Sequence, residues 1–502
     1  TAGWMTAAAL SRFINPSATN IVLVESDAIG TVGVGEATIP HIRVFNDMLG
    51  IDEHEFMVCT NATYKLGIRF DGWGTAKSDY YHPFGDHGFP IKGIPFHQYW
   101  LRARQLSSAH IEPFDRYSLA NVMAREERFN FPAADSNLVE STYSYAYHLD
   151  ASAYARFLRN YSEMNGVRRV EGEVTSVQLN TDTGFIESLM LADGERISGD
   201  LFIDCSGFRA RLIGQEMQVP FQSWQSWLPC DRALAMPTES AASIVPYTRS
   251  SAKPAGWCWQ IPLQHRLGNG HVYSSAFCSD EMAAELLLAH VPAKSLAEPK
   301  PLRFEAGMRA RAWEKNCVAM GLSSGFLEPL ESTSIYLIQV GIYKLLELLP
   351  ARNDFALDAK EFNRLVKDEY EKIRDFIILH YCVNQRPEAF WQYCANMSLP
   401  DSLQHKMEIF KQGAQVVEYE AGLFMPPSWL AVYFGQGLFP EKIDSRVQQM
   451  AMDEVLPLLK QIPDHLYHVA NKMPSHALAL RALGRGKKND VKPLLSLYGG
   501  RR

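Results

Sequence analysis

The stretch TAGWMTAAAL, residues 1–10, predicts a helix with a face of small residues that begins directly at a glycine. In dinucleotide-binding folds a buried strand and a Gly-x-Gly turn precede such a helix, and a third glycine lets the helix pack closely on the strand. Gly3 fits that third position, and the helix N-terminus suits a pyrophosphate. We therefore expect the first strand and the first glycines of the motif to be absent from this chain. On its own, Gly3 is explained equally well as the ordinary start of a helix.

Two later segments favour the dinucleotide interpretation. NIVLVES, residues 20–26, predicts a short strand ending in an acid, and Glu25 follows Gly3 at about the spacing of an acid that binds a ribose hydroxyl. GDLFIDCSGF, residues 199–208, predicts a second strand and a glycine turn that return to the same cofactor, as in the larger flavoproteins. Together these segments predict an FAD-binding module.

Composition excludes several classes of function. The 502 residues carry a net charge of -7, which gives no electrostatic footprint for a nucleic-acid partner. The eight cysteines form no CxxC pair, and the histidines show no HExxH spacing, so we expect reduced thiols in a cytoplasmic protein and no metal site. The strongest apolar run, residues 335–349, is broken by Gln339, Lys344 and Glu347, which indicates a core helix and no membrane association.

The length predicts two lobes. Residues 166–207 alternate with period two, as strands and hairpins do, whereas the sequence after Leu330 is largely helical, with amphipathic stretches at 358–380 and 447–462. We predict an α/β (α+β) protein with a Rossmann-type FAD-binding module of the glutathione-reductase or hydroxylase kind at residues 1–350. A mainly helical substrate lobe follows at residues 351–502.

Four separated motifs carry a resemblance to a known family. They are AGWMTAAAL after the first glycine turn, GVGEATIP (33–40), GWCWQIP (256–262) and GLSSGFLEPLESTSI (321–335). In this order, and over nearly the whole length, the chain resembles the flavin-dependent halogenases, in particular the tryptophan-halogenase branch. The resemblance implies that reduced FAD, O₂ and a halide ion yield hypohalous acid beside the flavin. The oxidant then passes through a tunnel to a lysine next to a small aromatic substrate.

The resemblance assigns the catalytic lysine to Lys65. Alternation through Tyr64, Leu66, Ile68 and Phe70 predicts a strand with Lys65 on its other face, where a lysine is usually solvated. In a tunnel its ammonium could donate a hydrogen bond to hypohalous acid, or the amine could be halogenated to a haloamine. The sequence leaves both alternatives open.

Glu331 matches the second catalytic residue of the family. Its carboxylate could stabilise the cationic arenium intermediate, orient the oxidant with Lys65 and accept the ring proton. The amides of Thr333 and Ser334 should bind halide at the start of a helix. An acid followed by hydroxyl residues is also an ordinary helix cap. Ser334 replaces a glycine common in tryptophan halogenases, so halide preference should differ, and we interpret Glu328 as structural.

The resemblance also implies cofactor and substrate contacts. Trp257 and Trp259 would form a wall between flavin and substrate, although two core tryptophans on one strand face explain them equally well. His82 and Phe84 in YYHPFG match an element of the aromatic substrate pocket. The residues assigned to FAD are Thr1, Ala2, Gly3, Glu25, Glu36, Ala37, Val174, Leu322 and Ile335.

Two alternatives share the flavin fold, namely an FAD-dependent aromatic monooxygenase and a non-enzymatic flavin-binding protein. Neither requires Lys65 and Glu331 to converge. We find no second dinucleotide fingerprint for a nicotinamide, so a separate flavin reductase should supply FADH₂. The oligomeric state cannot be read from the sequence.

The substrate prediction rests on a departure from the family. Tryptophan halogenases carry a Tyr-Tyr pair and a glutamate that hold the amino-acid backbone of tryptophan, whereas residues 410–437 pass from Glu420 to Trp429 without that pair. The segment between Lys65 and His82 is also shorter than in those enzymes. Since a zwitterion needs polar partners when it is desolvated, we predict an indole other than free tryptophan as substrate.

Overall fold

The computed structural model describes residues 1–15, 17, 19–27, 35–107, 111–349, 355–418 and 422–483. Its α-helices are α1 (Ala2–Phe13), α2 (His41–Met48), α3 (Glu53–Cys59), α4 (Phe96–Ser107), α5 (Leu119–Arg125), α6 (Ala151–Met164), α7 (Asp280–His290), α8 (Ser334–Glu347), α9 (Ala356–Cys382), α10 (Ala389–Asn396), α11 (Asp401–Gly413), α12 (Pro426–Gly435), α13 (Met452–Lys472) and α14 (His476–Leu483). Its strands are β1 (Val22–Glu25), β2 (Gly35–Ala37), β3 (Thr63–Lys65), β4 (Gly67–Asp71), β5 (Asp79–Pro83), β6 (Ala146–Asp150), β7 (Arg168–Glu171), β8 (Val174–Leu179), β9 (Ile186–Leu191), β10 (Arg196–Ser198), β11 (Phe202–Asp204), β12 (Phe221–Ser223), β13 (Arg232–Thr238), β14 (Thr248–Lys253), β15 (Gly256–Pro262), β16 (Leu267–Tyr273), β17 (Lys300–Arg303), β18 (Gly307–Arg309), β19 (Trp313–Glu314), β20 (Cys317–Ala319) and β21 (Gly325–Phe326).

The N-terminal helix lies against short parallel strands. Strand β1 pairs in parallel with β7, and β11 pairs in parallel with β20. A Cβ on Gly3 would stand 3.6 Å from Leu23 Cδ1 and 3.7 Å from Cys205 Cβ, so the missing side chain lets α1 approach the ends of both β1 and β11. The helix, the strand ending at Glu25 and the strand before Cys205 therefore meet as the sequence predicts. The alternating segment 166–207 likewise forms β7 to β11.

The centre of the molecule is a seven-stranded sheet with the order β17-β13-β16-β15-β14-β4-β5. Strand β15 is buried along its whole length, because it lies between two strands and both faces are covered. The ring of Trp259 fits over Gly270 of the neighbouring strand, where a Cβ would stand 2.0 Å from the ring. The two tryptophans of GWCWQIP are therefore part of the core.

The predicted continuous strand through Lys65 is two strands. Strand β3 pairs with β6, whereas β4 belongs to the central sheet, and the chain passes from one sheet to the other at Leu66. The Leu66 amide donates to Pro246 O, and its carbonyl accepts from the Phe84 amide. Lys65 departs from the solvated position that is usual for a strand lysine, because its side chain is completely buried at this crossing point.

Helices dominate the C-terminal part as predicted. The amphipathic stretch 358–380 lies within α9, which runs for 27 residues and buries its last two turns. The second stretch starts later than predicted, since Ser445–Gln449 is a 3₁₀ turn and α13 begins at Met452.

The predicted boundary between the lobes falls among residues 350–354, outside the described residues, and the division stays a prediction. Within the described ranges no helix combines the length and apolar composition needed to cross a bilayer.

We expect Gly270→Ala to lower the free energy of unfolding by about 1–3 kcal/mol, because the new Cβ overlaps the Trp259 ring. The matched control is Gly413→Ala, where nothing stands within 4 Å of the new Cβ. Thermal unfolding of both variants measures the effect. Equal melting temperatures for the two variants would contradict the packing described for Trp259.

Candidate active site

A buried lysine is the first element of the site. Lys65 Nζ donates to Thr38 O and to Ser332 Oγ, each at 2.9 Å, and its side chain has no exposed surface. The carbonyl comes from the residue after β2, and the hydroxyl comes from the loop before α8. The ammonium-bearing side chain therefore joins three segments that are distant in sequence.

A buried carboxylate is the second element. Glu331 Oε2 accepts from His82 Nδ1 at 2.9 Å, and Oε1 lies 2.9 Å from His380 Nε2. The other ring nitrogen of His380 lies 2.9 Å from Phe376 O, so both nitrogens of this ring face oxygen acceptors. Glu331 is thus held between two imidazoles inside the protein.

The charges of the two residues follow from these surroundings. Burial opposes ionisation of Glu331, but His82 and His380 outweigh burial and lower its pKa to about 2. Burial lowers the pKa of Lys65 to about 7, although the negative charge of Glu331 acts in the opposite direction. At neutral pH Glu331 is therefore a carboxylate, while Lys65 exchanges between ammonium and amine.

The loop before α8 has the backbone geometry that places Glu331 and Ser332 inside. Ser332 adopts φ 60°, a left-handed conformation that costs a non-glycine residue free energy. Thr333 is buried at the N-terminal end of α8, and Ser334 is the first residue of this helix. The side chain of Thr333, the N-cap residue, makes no capping hydrogen bond, so the simple capping interpretation has no support from this contact.

The predicted substrate residues lie beside these groups. The Phe84 ring centroid is 5.1 Å from Lys65 Nζ, and the pairing of β4 with β5 places His82 opposite Ile68. On its other side the His82 ring faces Phe376 at 5.6 Å and Phe424 at 6.0 Å. Lys65, Glu331, His82 and Phe84 therefore form one cluster.

Helix α9 connects the tryptophan pair, Trp257 and Trp259, to this cluster. Trp257 Nε1 donates to the hydroxyl of Tyr381, the residue after His380. The rings of Trp257 and Trp259 are 6.2 Å apart. The pair is a buried part of the sheet, and its role as a wall stays a prediction.

The residues assigned to FAD fall into two groups. Gly321 adopts φ 67°, and a Cβ there would stand 3.0 Å from Ala2 Cβ, so the turn carrying Leu322 lies against the start of α1. Ile335 is in the first turn of α8, which packs on α1 and on this turn. Val174 begins β8 and packs against the apolar cluster around β1 and β7. This first group places a helix N-terminus and close-packed glycines where a pyrophosphate requires them.

The second group is Glu36 and Ala37 on β2, directly before Thr38, whose carbonyl binds Lys65. Desolvation raises the pKa of Glu36 to about 7. Gly33 and Val34 of GVGEATIP lie outside the described residues. Glu25 was expected to bind a ribose hydroxyl, but its carboxylate already has protein partners. It accepts hydrogen bonds from Trp4 Nε1 at 3.0 Å and from Arg169 Nε at 2.7 Å. The residues present otherwise fit an FAD molecule.

Sequence reasoning missed three participants in the site. His380 lies on the buried face of a long amphipathic helix, with no motif or spacing to distinguish it from a core histidine. Thr38 contributes only its carbonyl, and Ser332 is one hydroxyl of a Ser-Thr-Ser run. Contacts between distant segments therefore define these roles.

In the described part of the chain no group of three or more His, Cys, Asp or Glu residues could hold a metal ion.

Comparison with known proteins agrees with this geometry. The family model described as tryptophan halogenase matches residues 1–452. Tryptophan 6-halogenase SttH of Streptomyces toxytricini is 38% identical over 464 residues, covering 87% of this chain and 88% of the relative. The structure of BrvH, a flavin-dependent halogenase from Brevundimonas sp. BAL3, has a TM-score of 0.92 at 43% identity and covers 96% of this chain and 97% of its own. Xcc4156, a flavin-dependent halogenase from Xanthomonas campestris, has a TM-score of 0.91 at 46% identity, with 96% of each chain covered.

These relatives confirm the predicted Rossmann-type FAD-binding fold and the predicted cofactor. Flavin-dependent halogenases use FADH₂, O₂ and a halide ion, and a separate reductase supplies the reduced flavin. The enzymatic interpretation is also confirmed, which decides against a non-enzymatic flavin-binding protein. The chain belongs to the tryptophan halogenase family of flavin-dependent halogenases.

Proposed function

We propose that this enzyme halogenates an electron-rich aromatic ring, an indole other than free tryptophan, with Lys65 delivering the oxidant and Glu331 stabilising the reacting ring. The observation that supports this most directly is that the loop before α8 brings a buried lysine and a buried carboxylate into one cluster. Lys65 Nζ bonds the Ser332 hydroxyl at 2.9 Å, and Glu331 precedes that serine. A buried charge is costly, so two of them in one interior cluster favour a function.

When bound, reduced FAD with O₂ and halide supplies hypohalous acid. Thr1, Ala2, Gly3, Leu322 and Ile335 would hold the cofactor at the start of α1 and beside α8, with Glu25, Glu36, Ala37 and Val174 as further contacts. The amides of Thr333 and Ser334 would bind the halide, because the first amides of a helix have no partner within it. The side chain of Ser334, which replaces a glycine common in tryptophan halogenases, would change the halide preference.

Lys65 would act as a hydrogen-bond donor in its ammonium form. Two of its N–H groups donate to Thr38 O and Ser332 Oγ, which leaves a third for the oxygen of hypohalous acid. A hydrogen bond to that oxygen polarises the oxygen–halogen bond and makes the halogen more electrophilic. The nearby charge of Glu331 favours the ammonium over the amine.

Glu331 would act mainly through its negative charge. Attack of the ring on the halogen produces a cationic arenium intermediate, which a carboxylate in a low-dielectric interior stabilises. A carboxylate whose pKa is about 2 is a weak base at neutral pH, because a general base works best with a pKa near the operating pH. We therefore assign removal of the ring proton to Glu331 only as a secondary role.

The substrate class is argued from the surroundings of His82. The rings that face it belong to Phe376 and Phe424, and these two stack at 3.9 Å. Tyr433, in the segment that departs from the family, stacks on Phe410 at 4.0 Å and is committed to core packing. Aromatic and apolar neighbours suit an uncharged indole better than a zwitterion. Glu420 lies outside the described residues.

We expect Lys65→Met to abolish halogenation while FAD binding and oxidation of reduced flavin continue, because Lys65 acts after the oxidant has formed. Glu331→Gln should slow product formation by roughly 10²-fold or more, since it removes the stabilising charge. Product mass after incubation with bromide, indole, FAD, NADH and a flavin reductase measures both effects.

Matched controls are Lys294→Met and Glu298→Gln, which change exposed residues of the same types. Halogenated product from Lys65→Met at the control rate would contradict the assignment of the lysine. A Glu331→Gln variant with an unchanged rate and a lower melting temperature would reduce Glu331 to a structural role. A hydroxylated product in place of a brominated one would favour an aromatic monooxygenase.

The substrate prediction has its own test. At equal concentrations of indole and tryptophan, we expect indole to react faster, with the halogen at C3, its most electron-rich carbon. The reason is that a ring held without a charged clamp follows its intrinsic reactivity. Faster turnover of tryptophan at a single benzo-ring position would contradict this and imply a carboxylate clamp.

A further inference from the structure

The first glutamate of the sequence LEPLE has contacts that the proposed function does not use. Glu328 is buried, and its Oε1 accepts from the Tyr381 hydroxyl at 2.8 Å. Its Oε2 has no hydrogen-bond partner among the described residues. The sequence predicts a structural role for Glu328 but does not identify its partner.

Backbone conformation makes these contacts necessary. Glu328 has φ 108° and Ser332 has φ 60°, and each such conformation is strained for a non-glycine residue. Strain of this kind persists only where other contacts hold it. The anchor at Ser332 is Lys65 Nζ, and the anchor at Glu328 is Tyr381. Glu331 lies between the two anchored residues.

The Tyr381 hydroxyl has partners on both sides. Its oxygen accepts from Trp257 Nε1 at 3.0 Å, and its hydrogen is donated to Glu328 Oε1 at 2.8 Å. Cys230 Sγ lies 3.7 Å from the same hydroxyl. Trp257 lies on β15, so this chain of hydrogen bonds ties the loop before α8 to the central sheet.

Helix α9 connects the two glutamates. Its consecutive residues His380 and Tyr381 contact Glu331 and Glu328 respectively. A shift of α9 or of the loop would disturb both contacts together. The placement of α9 therefore determines where both carboxyl groups lie.

We propose that Tyr381 and Glu328 are positioning residues that hold the loop 328–332, so that Ser332 meets Lys65 and Glu331 lies between His82 and His380. This inference rests on the proposed function of Lys65 and Glu331. The two glutamates of this loop have different pKa values because their surroundings differ. Burial raises the pKa of Glu328 to about 8, whereas its neighbour in the loop is ionised between two histidines.

Three variants test the pair. Tyr381→Phe and Glu328→Leu each remove the same hydrogen bond, and we expect each to lower the yield of halogenated indole per reduced flavin at least fivefold. The double variant should be no worse than either single one, since both act on one contact. Glu328→Gln keeps an uncharged acceptor for Tyr381 and should retain more than half of the wild-type yield, unlike Glu331→Gln.

A second readout separates positioning from general stability. When Glu331 is displaced from Lys65, the pKa of the lysine falls, so the alkaline limit of halogenation should move to lower pH in Tyr381→Phe. A role in stability alone would lower the melting temperature and leave both the yield of the folded enzyme and this limit unchanged. That result would overturn the proposal, as would a Glu328→Gln variant as impaired as Glu331→Gln.

The wild type and Lys65→Met are measured alongside. If Lys65→Met still halogenates, the proposed function fails and this inference fails with it. If Lys65→Met is inactive while Tyr381→Phe has the wild-type yield and pH limit, only the positioning role is wrong.

Discussion

The hydrogen bond between the Lys65 ammonium and the Ser332 hydroxyl joins two chemically demanding parts of this protein. One is a lysine that has been removed from water, and the other is a carboxylate that stays ionised in the interior. Each would be costly alone, and burial of an unpaired charge is among the largest penalties in a folded protein. His82 and His380 stabilise the ionised form of Glu331. The negative charge of Glu331 in turn favours the protonated form of Lys65, against the effect of burial.

The architecture around this contact explains its rigidity. The chain changes sheets at Leu66, which turns the preceding lysine inward rather than toward solvent. The opposite side is a strained loop held at both ends. His82 comes from β5, Glu331 precedes α8 and His380 belongs to α9, so the site is assembled from both of the predicted lobes.

The sequence predicted what local pattern and family motifs carry. The first helix, the acid-terminated strand, the alternating segment and the C-terminal helices follow from periodicity and glycine placement, and all are present. Family motifs predict Lys65, Glu331, His82 and Phe84 as site residues, and the structure brings them together. Periodicity alone does not indicate the burial of Lys65, because period-two alternation describes a strand and not a change of sheet. His380 and Tyr381 carry no local signal, since their importance comes from what stands opposite them.

The pH dependence of halogenation distinguishes the ammonium of Lys65 from its neutral amine. Besides Glu331, the charge of Lys65 interacts with His148, and burial lowers the pKa of His148 well below its usual value. His82 and His380 act on Glu331. Yield of halogenated indole per reduced flavin should be followed from pH 6 to 9, with flavin oxidation measured at each pH. If the ammonium of Lys65 is the working form, the yield falls as pH rises through about 7. A yield that rises through that range would show that the neutral amine reacts, and would contradict the account given for Lys65.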